Sequence, residues 1–335
     1  MNIPNGRRMN YGVPYKGSKN KLAESLCDQI PSADNFVDLF AGGCAVTHRM
    51  MLLNRYRHYL ANDLDGQGVR LFQDAISGKY RNETRWISRD EFQAKKDTDP
   101  YIAIVWSFGN NQRDYLYARE IEPWKKALHY ARVFGDYSLL REMGIYSDGS
   151  RKDVVAFQEI CKEKYIKWIG TEIKSRMEDL QSLERLQSLE RLQRLERLER
   201  LEVSFKSYED VEIKPNSVIY CDPPYKGTDE YKIKFDSEAF YDWCGRQKEL
   251  VLVSEYAMPD DRFACIWKKS HTSKICDKAT KKVTESLFVP RHQLELYRRM
   301  QGKNNGCQLT LFGEEYRADG SIIFTNNTGA QRATV

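Results

Sequence analysis

Apolar residues along the 335-residue chain gather in short blocks separated by amphipathic stretches, which is the rhythm of strands alternating with helices. Asn35-Phe-Val-Asp-Leu-Phe-Ala-Gly-Gly43 reads as a buried strand running into a glycine turn, with a helical stretch from Cys44 to Tyr56 behind it. His58-Tyr-Leu-Ala-Asn-Asp63 is a second short strand that ends in an acid. Further along, Leu201 to Phe205, Ser217 to Cys221 and Glu249 to Glu255 read as strands, and Ala264 to Trp267 and Val283 to Val289 as late antiparallel ones. Lys21 to Gln29 is amphipathic at helical spacing. Phe235 to Cys244 is too, with Ser237 in the N-cap position. The alternation predicts an α/β fold with a doubly wound, mostly parallel sheet.

Two regions break the rhythm. From about residue 75 to 176 the α/β alternation lapses. Between 180 and 201 leucine recurs at every third position, at Leu180, Leu183, Leu186, Leu189, Leu192, Leu195, Leu198 and Leu201. On an α-helix each three-residue step turns about 300°, so these leucines wrap around the cylinder instead of forming a heptad seam. High helix propensity and the lack of Gly or Pro favour a helical connector here, with a partner-binding helix or a compact coil as alternatives. After residue 300 the chain becomes polar, which predicts a flexible tail.

Composition narrows the compartment more than the chemistry. The formal net charge is only +5, so any nucleic-acid face must come from clustering. Residues 262 to 303 hold eleven Lys or Arg against three acids. The eight cysteines contain no C-x-x-C pair, which predicts no metal site and reduced core thiols. No apolar run approaches the roughly 18 residues of a membrane helix, so no membrane partner and a cytoplasmic location are expected.

The chemistry is concentrated where the Ser217 to Cys221 run meets Asp222-Pro-Pro-Tyr225. An exocyclic amine on a nucleobase is a poor nucleophile because its lone pair is delocalised into the ring. It becomes useful when acceptors hold its hydrogens. Asp222 and a backbone carbonyl, that of Pro223, are suited to this, Pro223 and Pro224 fix the backbone, and Tyr225 offers a stacking face. A proline-stiffened turn after a strand is the plainer reading. Upstream, Tyr15-Lys-Gly-Ser-Lys19 lies before the first helix, and the Gly42-Gly43 turn allows close backbone approach to a ligand beyond the strand ends. Asp63 stands where α/β folds commonly hold a ribose diol.

In that order, Tyr15-Lys-Gly-Ser-Lys19, Phe36-Val-Asp-Leu-Phe-Ala-Gly-Gly43, Asn62-Asp63 and Asp222-Pro-Pro-Tyr225 closely resemble the Dam-like (D12 class) DNA adenine-N6 methyltransferases. The resemblance covers roughly residues 11 to 72 and 199 to 290. It implies a class I, Rossmann-like catalytic domain, S-adenosylmethionine as cofactor and duplex DNA as partner. Tyr15, Gly17, Lys19, Asp38, Phe40, Gly42, Asp63 and Asp222 then belong to the cofactor side, with Lys19 also near the substrate. Asp222, Pro223, Pro224 and Tyr225 form the catalytic pocket. The loop here is Ala-Gly-Gly-Cys, where the family more often has Gly-x-Gly.

The resulting expectation is a first catalytic part over 1–75, a largely helical target-recognition insert over 76–176, the leucine-rich connector over 177–202, a second catalytic part over 203–300 and a tail over 301–335. Within the insert, Trp106-Ser-Phe-Gly-Asn-Asn-Gln-Arg-Asp-Tyr-Leu-Tyr-Ala-Arg119 mixes amides, arginines and aromatics. Asn110, Asn111, Arg113, Tyr117 and Arg119 are the candidate DNA contacts, against a buried aromatic turn as the alternative. Lys226 to Lys234 is a candidate lid or an ordinary loop. Gln308-Leu-Thr-Leu-Phe312 resembles the motif that binds the bacterial sliding clamp, or is an edge strand packed on the domain. The reading that unites these features is direct methyl transfer to adenine N6 on a flipped-out base. Cytosine N4, an RNA base, or a silent nucleic-acid-binding protein of the same fold are the alternatives.

Overall fold

A computed structural model describes residues 10–143, 200–224, 235–276, 279–304, 313–316 and 322–325. Tyr225, the candidate lid, the leucine repeat before residue 200 and the clamp-like pentapeptide lie outside them. The main body is a seven-stranded sheet. Its strands are β1 (Asn35–Asp38), β2 (His58–Asn62), β3 (Leu201–Ser204), β4 (Ser217–Cys221), β5 (Leu250–Glu255), β6 (Phe263–Cys276) and β7 (Ala279–Pro290), in the order β3-β2-β1-β4-β5-β7-β6. Pairings from β3 through β5 are parallel, whereas β7 lies antiparallel between β5 and β6.

The period of two along each strand sends alternate side chains into different cores. Phe36, Tyr59, Ala61, Val218, Tyr220, Leu250 and Leu252 join one apolar cluster, and Val37, Ile219, Cys221, Val251 and Val253 join another. Both faces are therefore covered, which is why these strands read as continuous apolar runs. The first face carries α1 (Ala23–Cys27), α2 (Ala45–Leu53), α3 (Gln67–Ile76) and, after β7, a helix over Leu294–Asn304. The second carries the helix Ser237–Arg246, through Phe240, Tyr241, Trp243 and Cys244.

Between α3 and β3 the described chain is helical: α4 (Arg89–Lys95), α5 (Pro100–Val105), α6 (Glu122–His129) and α7 (Ser138–Glu142). Ser88 caps α4 by accepting from Glu91 N at 3.2 Å, and Asp99 caps α5 ahead of Pro100. Ile87, Phe92 and the whole of Tyr101 to Trp106 pack into the first cluster, while Trp124, Ala127, Leu128 and Leu140 form a small cluster of their own. With α4 to α7 labelled, Ser237–Arg246 is α8 and Leu294–Asn304 is α9.

Several expectations need correction. The N-cap of α8 is Asp236, whose carboxylate accepts from Glu238 N and Ala239 N, so Ser237 is already the first helical residue. Both β6 and β7 run far beyond the apolar cores that announced them, because a long two-stranded ribbon can expose Lys and Ser positions to water. Cys27, Cys44, Cys221 and Cys244 are buried free thiols, but Cys265 is exposed on β6. Beyond residue 300 the chain continues α9 to Asn304, and β8 (Gly313–Tyr316) pairs antiparallel with β9 (Ile322–Thr325). No helix among the described residues is long and apolar enough to cross a membrane.

The start of β5 is tied by one side chain to the 3₁₀ turn Arg291–Gln293 that leads into α9. Buried Gln293 accepts from Val251 N at 2.8 Å and donates to the carbonyls of Gln247 and Glu249, both at 2.9 Å. Gln293→Ala orphans all three backbone groups. It should lower unfolding free energy by about 2 to 3 kcal/mol in urea denaturation, with little change in the slope of the transition.

Candidate active site

Parallel strands place their carboxyl ends along one edge, and here each of the central ones delivers an acid to it. Asp38 is the last residue of β1, Asp63 follows β2, Asp222 follows β4, and Glu255 ends β5. Register sets Asp38 opposite Tyr220, so Asp38 and Asp222 flank the same gap between neighbouring strands.

The segment before α1 closes over the glycine turn. Val13 N donates to Gly43 O at 2.8 Å, and Gly12 N donates to His48 Nδ1 at 2.9 Å. Tyr15 lies on the loop so tightly that a Cβ at Gly43 would sit 2.5 Å from Tyr15 Cβ, and one at Gly42, where φ is +47°, 3.1 Å from its ring. Gly68, near the start of α3, comes so close to the turn that its Cβ would be 2.1 Å from Gly42 O. Asp63 Oδ2 accepts from Gly42 N at 2.9 Å and Oδ1 from Asp65 N at 3.0 Å, which locks the turn to the end of β2. Gly17 has φ +79° and open space around it. Phe40 points away from this crevice, its ring 5.6 to 5.8 Å from those of Tyr208, Phe240 and Phe235 on the other face.

Asp38 is 1% exposed. Its Oδ2 accepts from Thr47 Oγ1 at 2.6 Å, while Oδ1 is buried with no hydrogen-bond partner in the structure. Burial pushes its carboxyl up to about 7 against the Thr47 hydroxyl, with Asp222 and Asp63 adding to the rise. Burial likewise raises Asp63, against the N–H groups of Gly42 and Asp65. An edge this rich in acid favours a cationic ligand.

Beside Asp38 the acids are balanced by one buried ammonium. Lys19, 8% exposed, stands in a single 3₁₀ turn, Lys19–Lys21, behind its cap Ser18. Its Nζ is 2.8 Å from Asp222 Oδ1 and 3.6 Å from Glu285 Oε1. Glu285, on β7 and 2% exposed, also accepts from Ser254 Oγ at 2.8 Å. Burial lowers the Lys19 pKa, but Asp222 and Glu285 outweigh it and leave the ammonium above its ordinary value. Glu255 holds Tyr256 N at 2.8 Å and is pushed up to about 7, by burial first and then by Asp222 and Glu285. Among the described residues no group of three or more His, Cys, Asp or Glu is placed to hold a metal ion.

The candidate DNA contacts divide. They lie on the loop from Ser107 to Tyr115, which closes on itself through an isolated bridge between those two residues, and just beyond it. Arg113 and Arg119 are exposed. Asn110 turns inward to donate to Ile104 O at 2.9 Å, and Asn111 folds back on Asp114 while accepting from the N–H groups of Arg113 and Asp114. Tyr117 is a correction: it is buried, stacked on Trp86 at 5.7 Å and 10°, with Lys125 over its ring. Sequence reasoning passed over Phe108, 63% exposed on this loop, and Gln112, whose Nε2 donates to Tyr15 OH at 3.4 Å. It also passed over Thr47, Glu255 and Glu285. Only Glu255 carried a signal, as the acid closing an apolar run.

A mixed seven-stranded sheet of this kind, with helices and a glycine turn at its carboxyl edge, is consistent with an α/β methyltransferase. The family model of the D12 class N6 adenine-specific DNA methyltransferases matches residues 15–249, and the chain belongs to that family. It is also similar to the Type II methyltransferase M.FokI of Planomicrobium okeanokoites, 23% identical over 256 residues. That alignment covers 71% of this chain and 32% of the relative, so the chain spans about a third of the relative's length.

The raised Asp38 carboxyl has a consequence for stability. Its folded pKa of about 7 exceeds the unfolded value of 3.8, so the folded state holds the proton more tightly. Stability of the ligand-free protein should therefore fall as pH rises from about 4 to about 7, by up to about 4 kcal/mol from this group. Urea denaturation across that window should show a flatter pH dependence for Asp38→Asn than for wild type.

Proposed function

We propose that this chain transfers a methyl group from S-adenosylmethionine to adenine N6 in duplex DNA. The observation that carries the reading is Asp222, set just after β4 on the same sheet edge as Asp38, Asp63 and the glycine turn, in a chain of this family. The crevice suits the cofactor on its own terms: the buried, unpartnered Asp38 Oδ1 is an acceptor waiting for a cationic donor, and the acids around it favour a ligand carrying an ammonium and a sulfonium. Tyr15 and the Gly42 turn would hold it, with Asp38 taking the amino group and Asp63 the ribose.

When bound, the cofactor would supply an activated methyl group on its sulfonium, the electron pair of the broken S–C bond staying with sulfur. Asp222 accepts a hydrogen of the target amine and so directs the nitrogen lone pair at the methyl group. The carbonyl of Pro223 accepts a hydrogen bond from the other N–H. As nitrogen becomes tetravalent it loses one proton to Asp222, which returns it to water. Positioning and polarisation by preorganised acceptors are the protein's share of the work. The base must leave the duplex to reach Asp222, and exposed Phe108, Arg113 and Arg119 support the Ser107 to Tyr115 side as the face turned to DNA.

Incubation with tritiated S-adenosylmethionine and unmethylated duplex DNA should yield labelled N6-methyladenine. Asp222→Ala should lower the transfer rate at least about a hundredfold in protein shown by circular dichroism to be folded. Label only in RNA or in cytosine contradicts this reading, as does full activity in the variant.

A further inference from the structure

The Lys19 ammonium has two carboxylates where one would neutralise it. Glu285 reaches the pocket from β7, whose antiparallel register puts Ser286 opposite Glu255 and so brings Glu285 past the carboxyl end of β5. The fold seats it there deliberately, in the sense that Ser254 on β5 donates to the same Oε1 that faces Lys19. Burying a second acid beside an ion pair costs desolvation that a static Lys19–Asp222 bridge does not require. The arrangement makes sense when the pair has to open.

A loosened pair leaves more of the Asp222 charge to the amine in the pocket proposed above, on which this inference rests. Asp222 Oδ1 is held by Lys19 at 2.8 Å, so the ammonium and the target amine would draw on the same carboxylate. Pulling Lys19 off Asp222 with nothing to receive it would strand a charge that is almost wholly buried, a cost of several kcal/mol. Glu285 Oε1 is already within ion-pair range at 3.6 Å, so a shift of under about 1 Å brings the ammonium to hydrogen-bond distance. A carboxylate oxygen can accept from Ser254 and Lys19 together.

We propose that Glu285 is the second seat of Lys19: as the base's amine donates to Asp222, the ammonium passes from Asp222 Oδ1 to Glu285 Oε1. Asp222 is thereby released to the amine without an unpaired buried charge. Glu285 is a positioning residue; it touches neither the base nor the cofactor and acts through Lys19. The change is a transfer of hydrogen bonds, with no bond to carbon made or broken.

A double-mutant cycle on the full chain tests this, because coupling between Glu285 and Lys19 is what separates a second seat from a structural prop. Single-turnover methyl transfer to unmethylated genomic duplex DNA is measured for wild type, Glu285→Gln, Lys19→Gln and the double variant, with cofactor affinity measured by calorimetry. Glu285→Gln keeps the shape and an acceptor for Ser254 but removes the charge. It should slow transfer roughly tenfold, about 1.4 kcal/mol, with cofactor affinity unchanged. In the Lys19→Gln background the same substitution should cost nothing further, since there is no ammonium to receive. Should Glu285→Gln not fold, Ser254→Ala loosens the same seat and should show a smaller loss that also vanishes without Lys19. An equal loss in both backgrounds, or no loss in either, overturns the second seat while the functional reading stands. A wild-type chain that transfers no methyl group overturns both.

Discussion

The ion pair between Lys19 and Asp222 joins distant parts of the chain at the acid-rich edge of the sheet. It spans the short turn before α1 and the residue after β4, and Glu285 adds β7 to the same knot. Parallel strands β1, β4 and β5 necessarily end on one edge, and each ends in or beside an acid, so that edge would repel itself without a buried cation. Lys19 supplies it. The cost appears in the carboxyls held up near neutrality at Asp38 and Glu255, groups that a cationic ligand would help to ionise.

The glycine turn works through proximity of a different kind. Gly43 and Gly68 have no room for a Cβ because Tyr15 and the Gly42 carbonyl occupy that space, and Asp63 clamps the turn by accepting from Gly42 N. The result is a crevice whose wall, floor and acids come from the N-terminal segment, α3 and two strand ends. Gln112 extends it towards the loop after α5 through its bond to Tyr15 OH. A physical link therefore runs from the proposed cofactor crevice to the proposed DNA face.

How much of this was legible depends on whether the signal was local. Buried parallel strands write themselves as apolar runs, so β4 and β5 were found within a residue of their ends and β1 from its first residue, while Glu255 was read as the end of a strand and not as part of the site. Strands β6 and β7 were read only over their apolar stretches, because Lys268 to Ser270 and Thr280 to Lys282 carry no apolar pattern. Tyr117 was misjudged since an aromatic among amides looks the same whether it faces water or, as here, Trp86. Glu285 could not be found at all: its place beside Lys19 exists only through the antiparallel register of β5 with β7. Family membership, carried by a few short motifs at the strand ends, was the most legible property of all.

The central claim is that the acid-lined crevice at the carboxyl edge is the seat of S-adenosylmethionine, with Asp38 Oδ1 as its buried acceptor. Calorimetric titration of S-adenosylmethionine into the wild-type protein and into Asp38→Asn tests it without reference to any DNA sequence. The account predicts saturable one-to-one binding to wild type, weakened at least about tenfold in the variant, the loss expected for one charge-assisted hydrogen bond. Absence of binding to folded wild type, or equal affinity in the two proteins, would contradict it.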